Sequence, residues 1–219
     1  MMEIKLFDLG LIDYQAGLAR QKEVFQEVLS GRLDSGLILC RHYPVITYSR
    51  QAGLANLKVS VNELKKRGIG LYQTERGGDI TYHGPGQLMV YPVLNLRYFK
   101  PDIHWYLRKL EELAIGTLEG FGVFGQVKPG LTGVWYREQK IASIGVAIKK
   151  WITFHGLALN IKKDDLENFS LIRPCGMDIS MTSLESVLAR AVEMDALKES
   201  LKRRWKNDQS SLAGIRRGY

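Results

Sequence analysis

Cys175 stands between Pro174 and Gly176, outside any apolar run. A loop cysteine beside a basic group, here Arg173, can have its pKa lowered, and the resulting thiolate is a nucleophile. The other cysteine, Cys40, follows Leu37-Ile38-Leu39 and reads as a core thiol. Lys140 opens the apolar run Lys140-Ile141-Ala142-Ser143-Ile144-Gly145. It is either a solvated lysine at a hairpin or an ammonium that stabilises a thiolate and moves a proton. His155 interrupts another apolar run, followed by Gly156-Leu157-Ala158-Leu159-Asn160. That histidine is either a satisfied core group or part of a site, and a glycine within a strand implies close approach of a ligand or another backbone. The densest cluster is Arg76-Gly77-Gly78-Asp79-Ile80-Thr81-Tyr82-His83-Gly84-Pro85-Gly86-Gln87. Glycines let a backbone approach a ligand and reach positive φ, while Arg76 and His83 offer charge and hydrogen bonds. The alternative is a tight polar connection between strands.

Other signals fall away on inspection. Gly120-Phe121-Gly122-Val123-Phe124-Gly125 fits the G-x-G-x-x-G spacing. A dinucleotide site needs a strand before it and a helix after it; here a helix precedes and a strand follows, so the segment reads as a helix end and turn. The chain has no phosphate-binding loop of the Walker type, no G-x-S-x-G and no C-x-x-C. Cys40 and His42 are two ligands at most, and no metal site is expected from them.

Elements must bring these dispersed groups together. Asp13 to Leu29 reads as a helix capped by Asp13, with Tyr14, Leu18, Phe25 and Val28 on one stripe. Buried strands are expected at 36–40 and 45–48, a short helix at 61–67, and strands at 69–74 and 87–96, where Pro92 implies a bulge or an edge. Asp102 opens a helix with Ile103, Leu107, Leu110, Ala114 and Leu118 inward. Strands follow at 123–128, 131–137, 140–148 and 151–161, and Thr182-x-x-Glu185 fits a capping box before the last helices. The class is α+β, with a mixed sheet and packed helices.

The chain has 219 residues, ordinary hydropathy (mean −0.14) and no apolar run long enough to span a bilayer. With no signal-peptide pattern and two cysteines, it reads as cytoplasmic with reduced thiols. The length fits one domain, taken as 1–206, followed by a basic tail at 207–219. The net charge of +8 suggests an acidic partner. Seven Lys/Arg against Glu199 and Asp208 place +5 of it in residues 196–219, leaving +3 elsewhere. No basic stripe with interleaved aromatics runs through the body, so nucleic acid is not the expected partner.

Four segments in this order and spacing resemble the lipoyl(octanoyl) transferases: Arg-Gly-Gly-x-x-Thr-Tyr-His-Gly-Pro-Gly-Gln at 76–87, Lys-Ile-Ala-Ser-x-Gly at 140–145, His-Gly-Leu-Ala-Leu-Asn at 155–160 and Pro-Cys-Gly at 174–176. The likeness spans roughly residues 7–206. Ser49 departs from it where a glycine is common, and Asp79 fills a variable position. The resemblance implies a biotin/lipoyl protein ligase-like fold (the class II synthetase-like type). It implies that octanoyl or lipoyl groups arrive on the phosphopantetheine arm of acyl carrier protein, pass to Cys175 as a thioester, and go on to a lysine of a lipoyl domain. The acceptors implied are those of 2-oxoacid dehydrogenase E2 subunits and the glycine cleavage H protein. No bound cofactor is implied. Lys140 matches the lysine that lowers the cysteine's pKa. Arg76, Gly77, Gly78, Asp79, Ile80, Thr81, Tyr82 and His83 match one substrate-binding segment, Ser143-Ile144-Gly145 a second, and Gly156-Leu157-Ala158 a third, preceded by His155. Backbone N–H groups of the third are candidates for the oxyanion contact.

The main rival is an ATP-dependent lipoate or biotin ligase of the same fold. Such a ligase characteristically carries paired arginines before three glycines, whereas one arginine and two glycines stand here, and it does not require Cys175. A non-catalytic binder of the same partners would need neither Lys140 nor Cys175, and a cysteine hydrolase would need His83 or His155 as base. A monomer is expected, since no heptad seam appears. Carrier proteins and lipoyl domains are typically acidic, so the basic surface suits them if the tail, or Arg97, Lys100, Arg108, Lys149 and Lys150, lies at the site's rim.

Overall fold

Strands β2 (Ser35–His42) and β6 (Gln87–Leu94) are buried at nearly every position, and a strand buried on both faces needs a layer on each side. The computed structural model supplies both layers. It describes residues 4–213, and among these the side chains of Cys175 and residues 207–213 lie outside the description. Successive side chains of a strand point to opposite faces. Leu37, Leu39, Leu88 and Val90 accordingly enter one core with helices α3 (Ile103–Glu119) and α5 (Met194–Ala213). Ile38, Cys40, Met89, Tyr91 and Val93 enter the other, under Val24 and Val28 of α1 (Tyr14–Leu29).

The large sheet has seven strands. From one edge its order is β1 (Ile4–Ile12), β2, β6, β10 (Ile152–Asn160), β9 (Gln139–Lys149), β8 (Leu131–Tyr136) and β7 (Gln126–Lys128). Only β1 and β2 run parallel; the other pairs are antiparallel. A separate three-stranded sheet sets β3 (Val45–Ser49) between β4 (Gly70–Thr74) and β5 (Ile80–His83). Leu64 of α2 (Val61–Lys66) packs with this sheet and with Phe169, Leu171 and Ile172. The expected α+β class with a mixed sheet is what the chain forms, divided between two sheets. No helix among the described residues is long and apolar enough to cross a membrane.

Several local expectations need correction. Asp13 makes no side-chain cap bond, and α1 buries Gly17, Gln21 and Val24 in place of Leu18 and Phe25. Gly17 is required there, because a Cβ would come within 2.7 Å of the His42 ring. The capping residue of α4 (Leu184–Leu188) is Ser183, whose side chain accepts from Ser186 N; Glu185 turns instead to Lys162 and to Val192 N. Asp102 does cap α3, accepting from Trp105 N at 3.0 Å, but Ile103 at its start is 46% exposed.

Pro92 sits in the middle of the large sheet, not at its edge. It has no N–H to give, and β10 pairs with β6 only from Leu157 to Asn160. Beside the proline, Thr153 Oγ1 takes over, donating to Pro92 O at 2.8 Å and accepting from Leu94 N at 3.0 Å. The turn-away is made at His155, with φ +57°, and at Gly156, where a Cβ would lie 2.2 Å from Val90 O. The glycine admits another backbone, and the departure of β10 gives His155 its unusual place.

Candidate active site

Residues of the two sheets line a common cavity that is partly open to solvent. Arg76, Gly78, Asp79, Ile80, Thr81 and His83 line one side. Lys140, Ser143, Ile144 and Gly145 of β9, with His155, Gly156, Leu157 and Ala158 of β10, form another. Pro174, next to Cys175, closes a third. Arg76 and Pro174, almost a hundred positions apart in sequence, thus line one cavity. Tyr14 of α1 and Met89 and Tyr91 of β6 also line it, and the motif reading missed them. The signal available was the two-residue period of β6, which aims 89 and 91 together.

Each wall has a structural reason. The 76–79 loop lies directly on β9: Gly77 N donates to Val146 O at 2.8 Å, and a Cβ on Gly145 would sit 2.9 Å from Gly77 O. Arg76 is held from the small sheet, donating through Nη2 to Thr47 O at 2.8 Å and to Thr47 Oγ1 at 3.0 Å, and through Nη1 to Gly77 O. Tyr82 is a correction. The alternation of β5 turns Thr81 and His83 to the cavity and Tyr82 away, fully buried against Phe169 with Asn168 Nδ2 donating to its hydroxyl. Gly77 does not line this cavity either. Gly84 and Gly86 make room for Asp165, whose carboxylate accepts from Gly86 N; their glycines serve the turn, not a ligand.

Gln87 and Asn160, at the ends of their motifs, connect the walls. His83 Nδ1 lies 3.1 Å from Gln87 Oε1. Gln87 Nε2 donates to Asn160 Oδ1 at 2.9 Å, and Asn160 Nδ2 to Thr182 O at 3.0 Å. Thr182 N donates in turn to Lys140 O at 2.9 Å, and Lys140 N to Ser180 O at 2.8 Å. This network fixes the start of β9 and the chain that follows Cys175. On its other side, the turn Pro174–Gly176 is tied by Arg173 N donating to Asn56 O at 2.8 Å. Arg173 itself forms an ion pair across the turn with Asp178 at 2.9 Å. The backbone carrying Cys175 is therefore anchored on both flanks beside the cavity that Lys140 lines.

Lys140 is 8% exposed. Its Nζ donates to Thr132 O at 3.0 Å and lies 4.8 Å from the Trp135 ring centroid. Gly133 leaves the lysine its space, since a Cβ would come within 2.6 Å of Lys140 Cε. Beneath this part of β8 is a residue the motifs do not mark. Glu111 of α3 is buried, accepts from Gly133 N at 2.9 Å and pairs with Arg108 at 2.6 Å. Burial raises its pKa while Gly133 N–H and Arg108 pull it down. A glutamate four residues beyond Leu107 on an inward stripe was the available sign.

Burial disfavours the charged form of three histidines, His42, His83 and His155. Burial, then the Arg76 charge, hold His83 well below its ordinary value, and the same two causes lower His155 to about 3. Burial also lowers His42, whose Nδ1 donates to Ile12 O at 3.0 Å while Nε2 accepts from Tyr91 at 2.9 Å. Below the unfolded value of about 6.5 the unfolded chain binds protons that the folded chain refuses, so stability present at neutral pH falls as pH drops through that value. Urea unfolding at pH 7.5 and pH 5.5 is expected to show a loss of roughly 1 kcal/mol from His155 alone; equal stability at the two values would contradict buried neutral histidines. Burial likewise pushes the Cys40 thiol up, as befits an inert core cysteine.

Gly156 of the candidate oxyanion segment pairs with β9 alone, while Leu157 and Ala158 pair with both β6 and β9. The expectation of a basic rim loses support. Three of the five cations named for a basic rim already have carboxylate partners: Lys100 with Asp102, Arg108 with Glu111 and Lys149 with Glu75. Residues 214–219 of the basic tail lie outside the described residues.

Residues 13–206 match the lipoyl protein ligase A/B catalytic domain. The chain is 45% identical over 190 residues to an octanoyltransferase of Clostridium kluyveri, covering 86% of this chain and 81% of that one. Its fold is similar to that of a bipartite lipoate protein ligase of Thermoplasma acidophilum, with a TM-score of 0.73 at 19% identity over 96% of this chain and 85% of that one. It is also similar to the biotin protein ligase of Aquifex aeolicus, with a TM-score of 0.57 at 13% identity over 95% and 72%. The ligase architecture thus carries an octanoyltransferase sequence, and the chain belongs to the octanoyltransferases of the lipoyl protein ligase A/B catalytic-domain family, which makes it an acyltransferase.

Proposed function

We propose that the protein moves an octanoyl or lipoyl group from acyl carrier protein to a lysine of a lipoyl domain through a thioester on Cys175. The observation that supports this most is the meeting of Lys140 and the Pro174–Gly176 turn at one cavity floored by Met89, Ile144 and Leu157. The Cys175 thiol gives its proton to Lys140, and the thiolate attacks the donor thioester carbonyl. A new carbon–sulfur bond forms to Cys175, the bond to the carrier arm breaks, and the arm's sulfur takes the proton from the Lys140 ammonium. The acceptor's neutral amine then attacks the enzyme thioester. A carbon–nitrogen bond forms, the Cys175 bond breaks, and the amine's proton passes by way of Lys140 to the Cys175 sulfur. The first step exchanges like bonds and the second makes an amide, so no nucleotide is required. Splitting the transfer lets two large proteins use one site in turn.

Arg76 favours this over a ligase. Its guanidinium is directed at Thr47 and Gly77 as part of the wall, whereas a ligase loop would turn such a group to phosphate. Octanoyl-carrier protein and a lipoyl domain, mixed with the enzyme without ATP, are expected to give the octanoylated domain by mass. Transfer only from free octanoate with ATP would make the protein a ligase.

A further inference from the structure

Lys140 borders a second space. A wider cleft, about 1060 Å³ including its open part, shares Gly78, Lys140, Ile144 and Gly145 with the first cavity. Its remaining walls are largely apolar, among them Ile103 and Leu107 of α3, Trp135, Val146, Met177 and Ile179. Ile103 and Leu107 are one helical turn apart and face the same side. Ile103 is 46% and Met177 39% exposed, while Leu107, Val146 and Ile179 are half-buried. The helix spends Leu110, Leu113, Ala114 and Leu118 on the core, so the Ile103–Leu107 end is not needed there. An apolar wall left open to water and continuous with a reactive cavity is a place for a ligand.

We propose that this cleft holds the pantetheine-type arm of the thioester donor while the acyl chain fills the inner cavity. The inference rests on the transfer reading above. A thioester carbonyl carries a chain on each side. With the acyl chain inside and the carbonyl at the Lys140 wall, the sulfur's substituent must leave through the neighbouring space. A pantetheine arm suits that space: its methylenes and geminal dimethyl group meet the apolar side chains, and its amides meet the backbone at Gly78 and Gly130, which also line it. An acceptor lysine is a poorer occupant, with four methylenes and a terminal amine that must itself reach the carbonyl.

The test compares octanoyl thioesters of N-acetylcysteamine and of pantetheine as donors. The readout is the rate of octanoylation of the enzyme, followed by intact mass. Wild-type kcat/KM is expected to be about tenfold higher for pantetheine, the gain from covering roughly two methylene equivalents. Ile103→Glu, at a position exposed enough to leave the fold intact, is expected to bring that ratio near one. Equal wild-type rates, or a ratio that survives Ile103→Glu, would overturn the assignment and leave the transfer reading standing. Slower discharge of preformed octanoyl-enzyme by a lipoyl domain, with the donor ratio intact, would give the cleft to the acceptor and also overturn it. Failure of both small donors while octanoyl-carrier protein acylates the enzyme would also overturn the assignment; failure of all three would remove the transfer reading itself.

Discussion

Cys175→Ser is expected to cut octanoyl transfer by on the order of 10⁴-fold or more, the scale seen when a covalent nucleophile is removed. The exchange of sulfur for oxygen is nearly isosteric, and the surrounding backbone is tied at Asn56–Arg173 and at Lys140–Ser180, so the turn should keep its shape. Nucleophilicity is what changes. A thiol with a lysine nearby can ionise near neutral pH, whereas a serine hydroxyl needs a general base matched to a far weaker acid. The buried neutral histidines could supply such a base only if placed against the hydroxyl. His83 Nδ1 is engaged by Gln87, and His155 is set at the bend of β10. Steady-state transfer to a lipoyl domain, with the melting temperature as a control for folding, measures the effect. A serine variant retaining a tenth of wild-type activity would mean that Cys175 is not the acyl carrier.

Lys140→Ala is expected to cost between about 10² and 10⁴ in the same assay, the range for loss of a positioned proton-transfer group. Part of that loss would come from the space left beneath Trp135 and beside Gly133. Lys140→Met separates the two effects, because it keeps the stem and removes the charge and the proton. If the ammonium stabilises the Cys175 thiolate, the methionine variant should show alkylation of Cys175 displaced to higher pH, toward the ordinary thiol value of about 8.5. Lys140→Arg should restore charge without easy proton release, so the alkylation profile should recover more than turnover does. An alkylation profile unchanged in Lys140→Met would confine the lysine to a structural role.

Much of this site was legible before any coordinates, because its residues depart from what their elements need. A histidine and a glycine within an apolar strand, or four glycines among polar groups, are poor choices for packing alone. The helices at 13–29 and 102–118 were legible from their 3.6-residue period, and the strands at 36–40 and 45–48 from apolar runs. Partners distant in sequence were hidden. Nothing local says that Thr47 grips Arg76, that Glu111 props β8 under Lys140, or that Asp165 explains Gly84 and Gly86. Tyr82 belongs to the motif without reaching the cavity, because the period of β5 turns it to the core. Pro92 misled because an interior proline is rare; Thr153 Oγ1 and the bend at His155 accommodate it. Strand β1 escaped notice because it borders the sheet, with exposed positions through much of its length.

The charge pattern also changes meaning. Lys100, Arg108 and Lys149 are drawn into pairs with carboxylates, and the two that are largely exposed at both ends, Lys100–Asp102 and Lys149–Glu75, add little to stability.

Intact mass spectrometry detects an acyl-enzyme on Cys175 directly. Purified protein mixed with octanoyl-carrier protein, with neither ATP nor acceptor present, should gain the mass of one octanoyl group. Hydroxylamine should remove it, a lipoyl domain should discharge it, and Cys175→Ser should not acquire it. A protein that stays unmodified under these conditions yet octanoylates the lipoyl domain when both substrates are present would contradict the account.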